Sequence, residues 1–340
     1  MAAYTTIDDP SAYFKVQLWT GTGSSNAITF DDTDTDMQPD MSWIKSRNST
    51  SSHCINDSVR GVSSGNTIHS NNNGAEDTSN TDAVDSFDSD GVTLGADTGN
   101  LGVNYSSSQN YVGWFWKESA TSGFDMVLYT GNDTARTISH SLSAKPGLMM
   151  VKRRGTAANW QVWHKSLPDT GDKVLYLNTT HAQQDEIMFN DTEPTSSVFS
   201  LGTAGESNKV GITFINFLWA EKQGYSKFGS YTGNGNADGT FVYTGFKPAM
   251  VIVKRTDSTG GWYIYDNKRA GYNGSSGYLQ ADTTSAEDTN AGNFGFDLLS
   301  NGFKLRGTYA TVNNSGGTYV YMAWAEAPFV NSNGVPGTAR

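Results

Sequence analysis

Three carboxylates recur at a fixed place in the chain: Glu118, Glu221 and Glu326 each stand two residues beyond a tryptophan, Trp116, Trp219 and Trp324. A carboxylate placed alike three times suggests acid catalysis, and hydrolysis of a glycosidic bond requires a second carboxyl group within about 5 to 10 Å. Acidic pairs at Glu76-Asp77, Asp185-Glu186 and Glu287-Asp288 are candidates for that partner, but no compact Glu-x-Asp-x-x-Glu strand gathers them. The expected role of the three glutamates is therefore structural, each ending a strand and pairing with one of the repeated lysines Lys45, Lys152 and Lys254. Such a pair contributes at most about 1 kcal/mol when exposed. The tryptophans have faces on which sugars stack, yet they lie inside strands among apolar neighbours, which is the pattern of core packing. Aromatic residues in loops, Tyr105, Tyr272 and Tyr309, are the better candidates for glycan contact.

Other chemistries lack their motifs. His53, His69, His140, His164 and His181 show no metal-ligand spacing, and Cys54 has no second cysteine. No phosphate-binding loop of the Gly-x-x-x-x-Gly-Lys-Ser/Thr kind is present. The run Asp31 to Asp36 offers oxygen donors suited to Ca²⁺ but not the ordered Asp-x-Asp-x-Asp-Gly loop, and reads as a solvated acidic turn. No catalytic residue, metal or cofactor is expected, and the chain reads as a non-enzyme.

The elements that position these residues are strands, and they come in three copies. The closing strand Tyr319 to Glu326 repeats Ile215 to Glu221 and, more roughly, Tyr111 to Glu118, at a period of roughly 103 to 105 residues that suits a β-sandwich. An aromatic-Thr-Gly opener falls at Trp19-Thr20-Gly21, Tyr129-Thr130-Gly131 and Tyr231-Thr232-Gly233. An apolar strand running from proline to lysine falls at Pro39 to Lys45, Pro146 to Lys152 and Pro248 to Lys254. An Asp-x-x-Arg pair marks the first and third copies at Asp57/Arg60 and Asp266/Arg269, whereas the second has Trp163-His164-Lys165 nearby. The expected organisation is an N-terminal docking arm at 1–11, repeats at 12–119, 120–223 and 224–329, and a loosely held tail at 330–340. Asp90-Gly91 and Asn301-Gly302 predict two-residue hairpin turns. Ser63 to Asp85 is the least patterned stretch, and no helix of ordinary length is expected.

Composition agrees with an all-β chain: 37 glycines and 12% aromatic residues supply turns and short strands, and only 17% of residues are charged. The net charge of −11 shows no basic stripe, so nucleic acid is not an expected partner. One cysteine, no apolar run long enough to span a bilayer and no signal sequence behind Met1 lead to the expectation of folding in a reducing cytoplasm, without a membrane partner.

Ile7-Asp8-Asp9-Pro10-Ser11-Ala12-Tyr13-Phe14, the aromatic-Thr-Gly turn, Gln38 to Lys45 with Asp57-Ser58-Val59-Arg60-Gly61, and Tyr321 to Phe329 together resemble the repeat domain of structural proteins from marine bacteriophages, including cyanophages. The resemblance covers nearly the whole chain and is weakest in the second copy at the Asp-x-x-Arg position. It implies three tandem lectin-like or laminin-G-like β-sandwiches and brings no catalytic residues. It also implies a virion protein on the exterior of a tailed phage, made in the host cytoplasm, homo-oligomeric and bound to other capsid or tail proteins. A capsid decoration or head-fibre role is slightly favoured because the first repeat begins so early, with weak binding of host glycans through loops. The alternatives are a tail-fibre or receptor-binding adhesin and a polysaccharide depolymerase.

Overall fold

Runs such as Ala249-Met250-Val251-Ile252-Val253 are apolar at every position rather than at alternate ones, and a strand of that kind requires cover on both faces. The computed structural model, which describes residues 3–30, 35–62, 65–168, 171–269, 273, 277–289 and 294–337, supplies it. The chain is all-β, built from several antiparallel sheets. One strand order occurs three times: Phe14–Thr20, Asn110–Trp116, Met41–Ser46, Cys54–Asp57 in the first copy. The second has Phe124–Thr130, Thr213–Ala220, Pro146–Arg153, Gln161–His164, and the third Ser226–Thr232, Thr318–Pro328, Phe246–Arg255, Trp262–Asp266, extended by Leu279–Gln280. The closing strand thus always lies inside its sheet, between the opener and the proline-to-lysine strand. Register defines corresponding positions, with Trp43 opposite Trp114, Met150 opposite Phe217 and Ile252 opposite Met322.

One face of each large sheet meets a smaller sheet from the same copy. Ile28, Val92 and Leu94 of the first small sheet pack with Ile44, Cys54 and Phe115. Phe199 and Leu201 pack with Met149, Trp163 and Leu218 in the second, and Phe296, Phe303 and Leu305 with Val253, Tyr265 and Tyr321 in the third. The opposite faces all enter one further core common to the three copies, including Trp43, Phe217, Ile252 and Met322. At its centre Trp116, Trp219 and Trp324 touch one another, with ring centroids 6.0, 5.3 and 5.8 Å apart and every pair edge-to-face. The tryptophans do pack in a core, as their apolar neighbours suggest, but it is one core shared by the three copies, in which they form a single triangle.

The copies do not stand in a row. Trp160 Nε1 of the second donates to His69 O of the first at 2.8 Å, and Trp262 Nε1 of the third donates to Tyr176 O of the second at 2.9 Å. At the corresponding position of the first copy His53 Nε2 reaches Gln280 O of the third, also at 2.9 Å. Backbone bonds follow the same rotation, from Ala158 N to Asn73 O, Gly260 N to Thr180 O, and Ser51 N to Thr284 O. Each junction uses two different surfaces and the third closes on the first, the geometry of a cyclic trimer within one chain. Much of the unpatterned stretch from Ser63 to Asp85 serves this closure, and its polar composition reflects backbone and side-chain bonds to the next copy.

The repeated lysines are wholly buried, and the expected pairing with Glu118, Glu221 and Glu326 is not formed. Lys45 Nζ donates to Ser46 O and Ser49 O, and Lys152 Nζ to Ala158 O and, across the junction, Asn73 O. Lys254 Nζ donates to Gly260 O, Arg255 O and, across the next junction, His181 O at 2.8 Å. Burial lowers each ammonium to about 8. Between about pH 8 and 10 the unfolded chain, with lysines near their ordinary value of about 10.4, binds more protons than the folded one. Stability contributed by these groups therefore rises with pH across that window and is flat below it. Lys254→Met is expected to lose about 1 to 3 kcal/mol at pH 7, because its carbonyl acceptors lose their donor, and to flatten the rise by about a third. Urea midpoints measured from pH 7 to 10 check both, and an unchanged slope would refute the assignment.

Three local expectations also need correction. The hairpin turns are centred one residue earlier than Asp90-Gly91 and Asn301-Gly302, because Gly91 pairs with Asp88 and Gly302 with Leu299. The glycines are required by the adjacent strand: a Cβ would lie 2.0 Å from Ile28 O at Gly91 and 2.0 Å from Val242 O at Gly302. The arm expected to dock on a partner is folded onto its own chain. Tyr4 Oη donates to Gly245 O, Thr5 Oγ1 to Gln223 O, and Ile7 enters the common core. Nor is the described part of the tail loose, since Ser332 N donates to Asp8 Oδ1 at 2.6 Å and Val330 bridges Pro336.

Candidate binding cleft between the second and third repeats

Two of the three junctions carry the same buried ionic chain. In the first copy Asp57 holds Arg60 at 2.5 Å, Arg60 holds Glu76 at 2.7 Å, and Glu76 crosses to Arg154 of the second at 2.8 Å. In the third copy Asp266 holds Arg269 at 2.5 Å, Arg269 holds Glu287 at 3.1 Å, and Glu287 crosses to Arg47 of the first at 2.7 Å. Asp266 also accepts from Trp114 Nε1 of the first copy at 3.1 Å. The Asp-x-x-Arg motif is thus the start of an inter-copy clamp. Burial pushes the Glu76 carboxyl up, but hydrogen bonds from Arg154 and the charge of Arg60 outweigh it and hold it below its ordinary range.

At the remaining junction every member is neutral. The backbone bonds that place Glu76 beside Arg154 and Glu287 beside Arg47 place Gln183 beside Thr256. His164 stands where the others have aspartate, and Leu167 where they have arginine. The acidic pair Asp185-Glu186, matched by sequence to Glu76-Asp77, lies two residues beyond the position that faces the junction. His164 accepts from Ser166 N through Nδ1 and so donates through Nε2 to Tyr321 O of the third copy at 3.2 Å, with burial lowering it to about 3.

Threonine does not reach as far as arginine, and this junction is open. A cleft of about 370 Å³ bordered by Gln183, Thr256, Ser166 and Tyr231 adjoins one of about 450 Å³ bordered by Ser166, Tyr231, Lys165, Glu221, Lys227 and Tyr243. Gln183 Oε1 is buried without a hydrogen-bond partner. Lys165 pairs with Glu221. Lys227 Nζ donates to Tyr243 O at 3.0 Å and sits 5.3 Å from the centroid of that ring. On the edge strand Phe241–Tyr243 the side chains of Phe241 and Tyr243 are 43% and 47% exposed while Val242 is buried, so the two rings share the outward face.

Of the three repeated glutamates only Glu221 borders this cleft, and the described glycan-contact candidates do not. Glu221 pairs with Lys165 at the border of the cleft and accepts from Phe228 N, whereas Glu326 pairs with Lys247 and accepts from Asn267. Glu118 and Asp125 both accept from Met126 N, and burial together with the neighbouring Asp125 and Asp40 carboxylates raises Glu118 to about 7. Two carboxyl groups that share one backbone donor leave no room for a sugar between them, and a retaining glycosidase needs about 5 Å. Tyr105 and Tyr309 are exposed, with Tyr309 packed on Phe294 at 4.3 Å, and Tyr272 lies outside the described residues, as do Asp31 to Asp34. His53 accepts from Trp43 Nε1 and donates to Gln280 O, while Cys54 is buried with its thiol pushed up by burial. Among the described residues no group of three His, Cys, Asp or Glu is placed to hold a metal ion. Phe241, Tyr243 and Lys227 were not singled out from sequence; the alternation Phe-Val-Tyr before a glycine was the available signal.

The geometry defines an all-β protein whose three like copies close on a common aromatic core and differ at one junction. The chain belongs to the family described as Domain of unknown function (DUF7483), whose model matches residues 9–328 and so takes in all three copies. Comparison with curated proteins and with solved structures finds no match.

Proposed function

We propose that the chain is a non-enzymatic structural protein on the exterior of a tailed bacteriophage virion, its copies being three lectin-like or laminin-G-like β-sandwiches. The observation that carries the structural part is the fate of the most regularly repeated residues. Trp116, Trp219 and Trp324, Lys152 and Lys254, and the Asp-x-x-Arg pairs are consumed in joining copies, and Lys45 in holding carbonyls of its own copy, rather than gathered around a reacting centre. The virion part rests on the resemblance of the opening, the repeat motifs and the closing strand to marine phage repeat proteins. Closure of the copies on one another favours a compact body on the capsid shell over an extended shaft, although the short arm no longer argues for docking, being packed on its own chain. The open cleft favours a second reading, a tail-associated adhesin.

Labelling of intact particles with an antibody against the third repeat, viewed by electron cryo-microscopy, separates these. Label spread over the shell is the expected result, label confined to the tail selects the adhesin, and particles that carry no label overturn both.

A further inference from the structure

From the cleft between the second and third repeats we propose a saccharide site that takes an anionic oligosaccharide, with Tyr243 and Phe241 as stacking faces and Lys227 as the contact for its acid group. The first repeat shows that the fold does not need these aromatics. Tyr243 pairs with Gly302 as Thr29 pairs with Gly91, and Phe241 pairs with Lys304 as Ala27 pairs with Thr93, so the small residues Thr29 and Ala27 serve the same strand there. Two exposed rings on one face of an edge strand, about 6.6 Å apart along it, offer flat apolar surfaces to consecutive sugar rings.

Charge selects the class of sugar. In a chain of net charge −11, Lys145, Lys165 and Lys227 converge on this cleft and its continuation beside Gly147. Lys145 pairs with Glu193 and Lys165 with Glu221, whereas no described carboxylate lies within ion-pair distance of Lys227. The position of Lys227 is Asp125 in the second copy and Lys15 in the first, where the lysine is buried and paired with Asp90 instead of bordering a cleft. At the far end Gln183 and Thr256 stand where the other junctions bring a glutamate and an arginine, which leaves the cleft open. The site deepens the adhesin reading of the proposed function by naming a ligand class, and is testable apart from any virion.

Calorimetric titration of the full chain with an oligogalacturonate, a sulfated oligosaccharide and neutral maltohexaose is the test. Binding of at least one acidic sugar, weakened by added salt and stronger than that of maltohexaose, is expected. Tyr243→Ala should weaken it by about 3- to 10-fold, and Lys227→Gln should abolish the preference for acid. Absence of binding to all three sugars at millimolar concentration, or binding indifferent to Tyr243→Ala and Lys227→Gln, overturns the site. Labelling of particles is unaffected by either result, so the two readings fail separately.

Discussion

Trp324→Ala is expected to destabilise all three repeats together, by about 3 to 5 kcal/mol. The ring of Trp324 touches Trp116 and Trp219 and also lies against Phe14 and Phe228, so its loss opens a cavity bordered by every copy. A triangle of aromatic edges cannot relax by moving one side, because each tryptophan belongs to the inner strand of its own sheet. Denaturation should remain one transition shifted to lower denaturant, and amide exchange should accelerate in strands of the first and second copies as well as the third. A curve that splits, with two copies keeping their original midpoint, would show that the cores are independent.

Removing one charge from the ionic clamp should cost more than removing the whole clamp. Glu76→Gln leaves Arg60, with a fully buried side chain, and Arg154 facing a neutral amide; breaking a buried pair in this way costs about 3 to 5 kcal/mol. The combined change Asp57→His, Arg60→Leu, Glu76→Gln and Arg154→Thr installs the set that already works between the second and third copies. It should recover most of the loss, since no buried charge is left without a partner. The clamp also sets an acid limit. The carboxyl of Glu76 is depressed in the folded state, so the stability it adds is present above its unfolded pKa and disappears as pH falls through the folded value. Denaturant midpoints for the single and combined variants decide the matter; a combined variant that loses as much as the summed single changes would refute a coupled network.

The all-β class, the three copies and their landmark strands were legible in sequence because each rests on a local pattern: apolar alternation, turn glycines, and a tryptophan at constant spacing. Closure was not, because the surfaces that meet are polar loops such as Asn73, Glu76 and Thr180, whose partners lie in another copy. Traces of it were present nonetheless. The Met250 to Val253 run is apolar on both faces, which one small sheet does not explain. The second copy lacks the Asp-x-x-Arg pair and has Gln183 in place of the glutamate, a joint loss that marks residues acting together. The lysines were misassigned for a related reason: a lysine ending an apolar strand resembles a surface charge unless the carbonyls waiting for it, His181 O and Asn73 O among them, are known.

An assembly of three separate chains would dissociate on dilution and would have to carry every substitution at all of its junctions. Here the same closure is unimolecular, so dilution has no purchase on it. Covalent linkage also frees the junctions from one another: Gln183 and Thr256 replace an ionic contact at one place while Glu76–Arg154 and Glu287–Arg47 keep the other two shut. A homotrimer gene has no means of writing that difference.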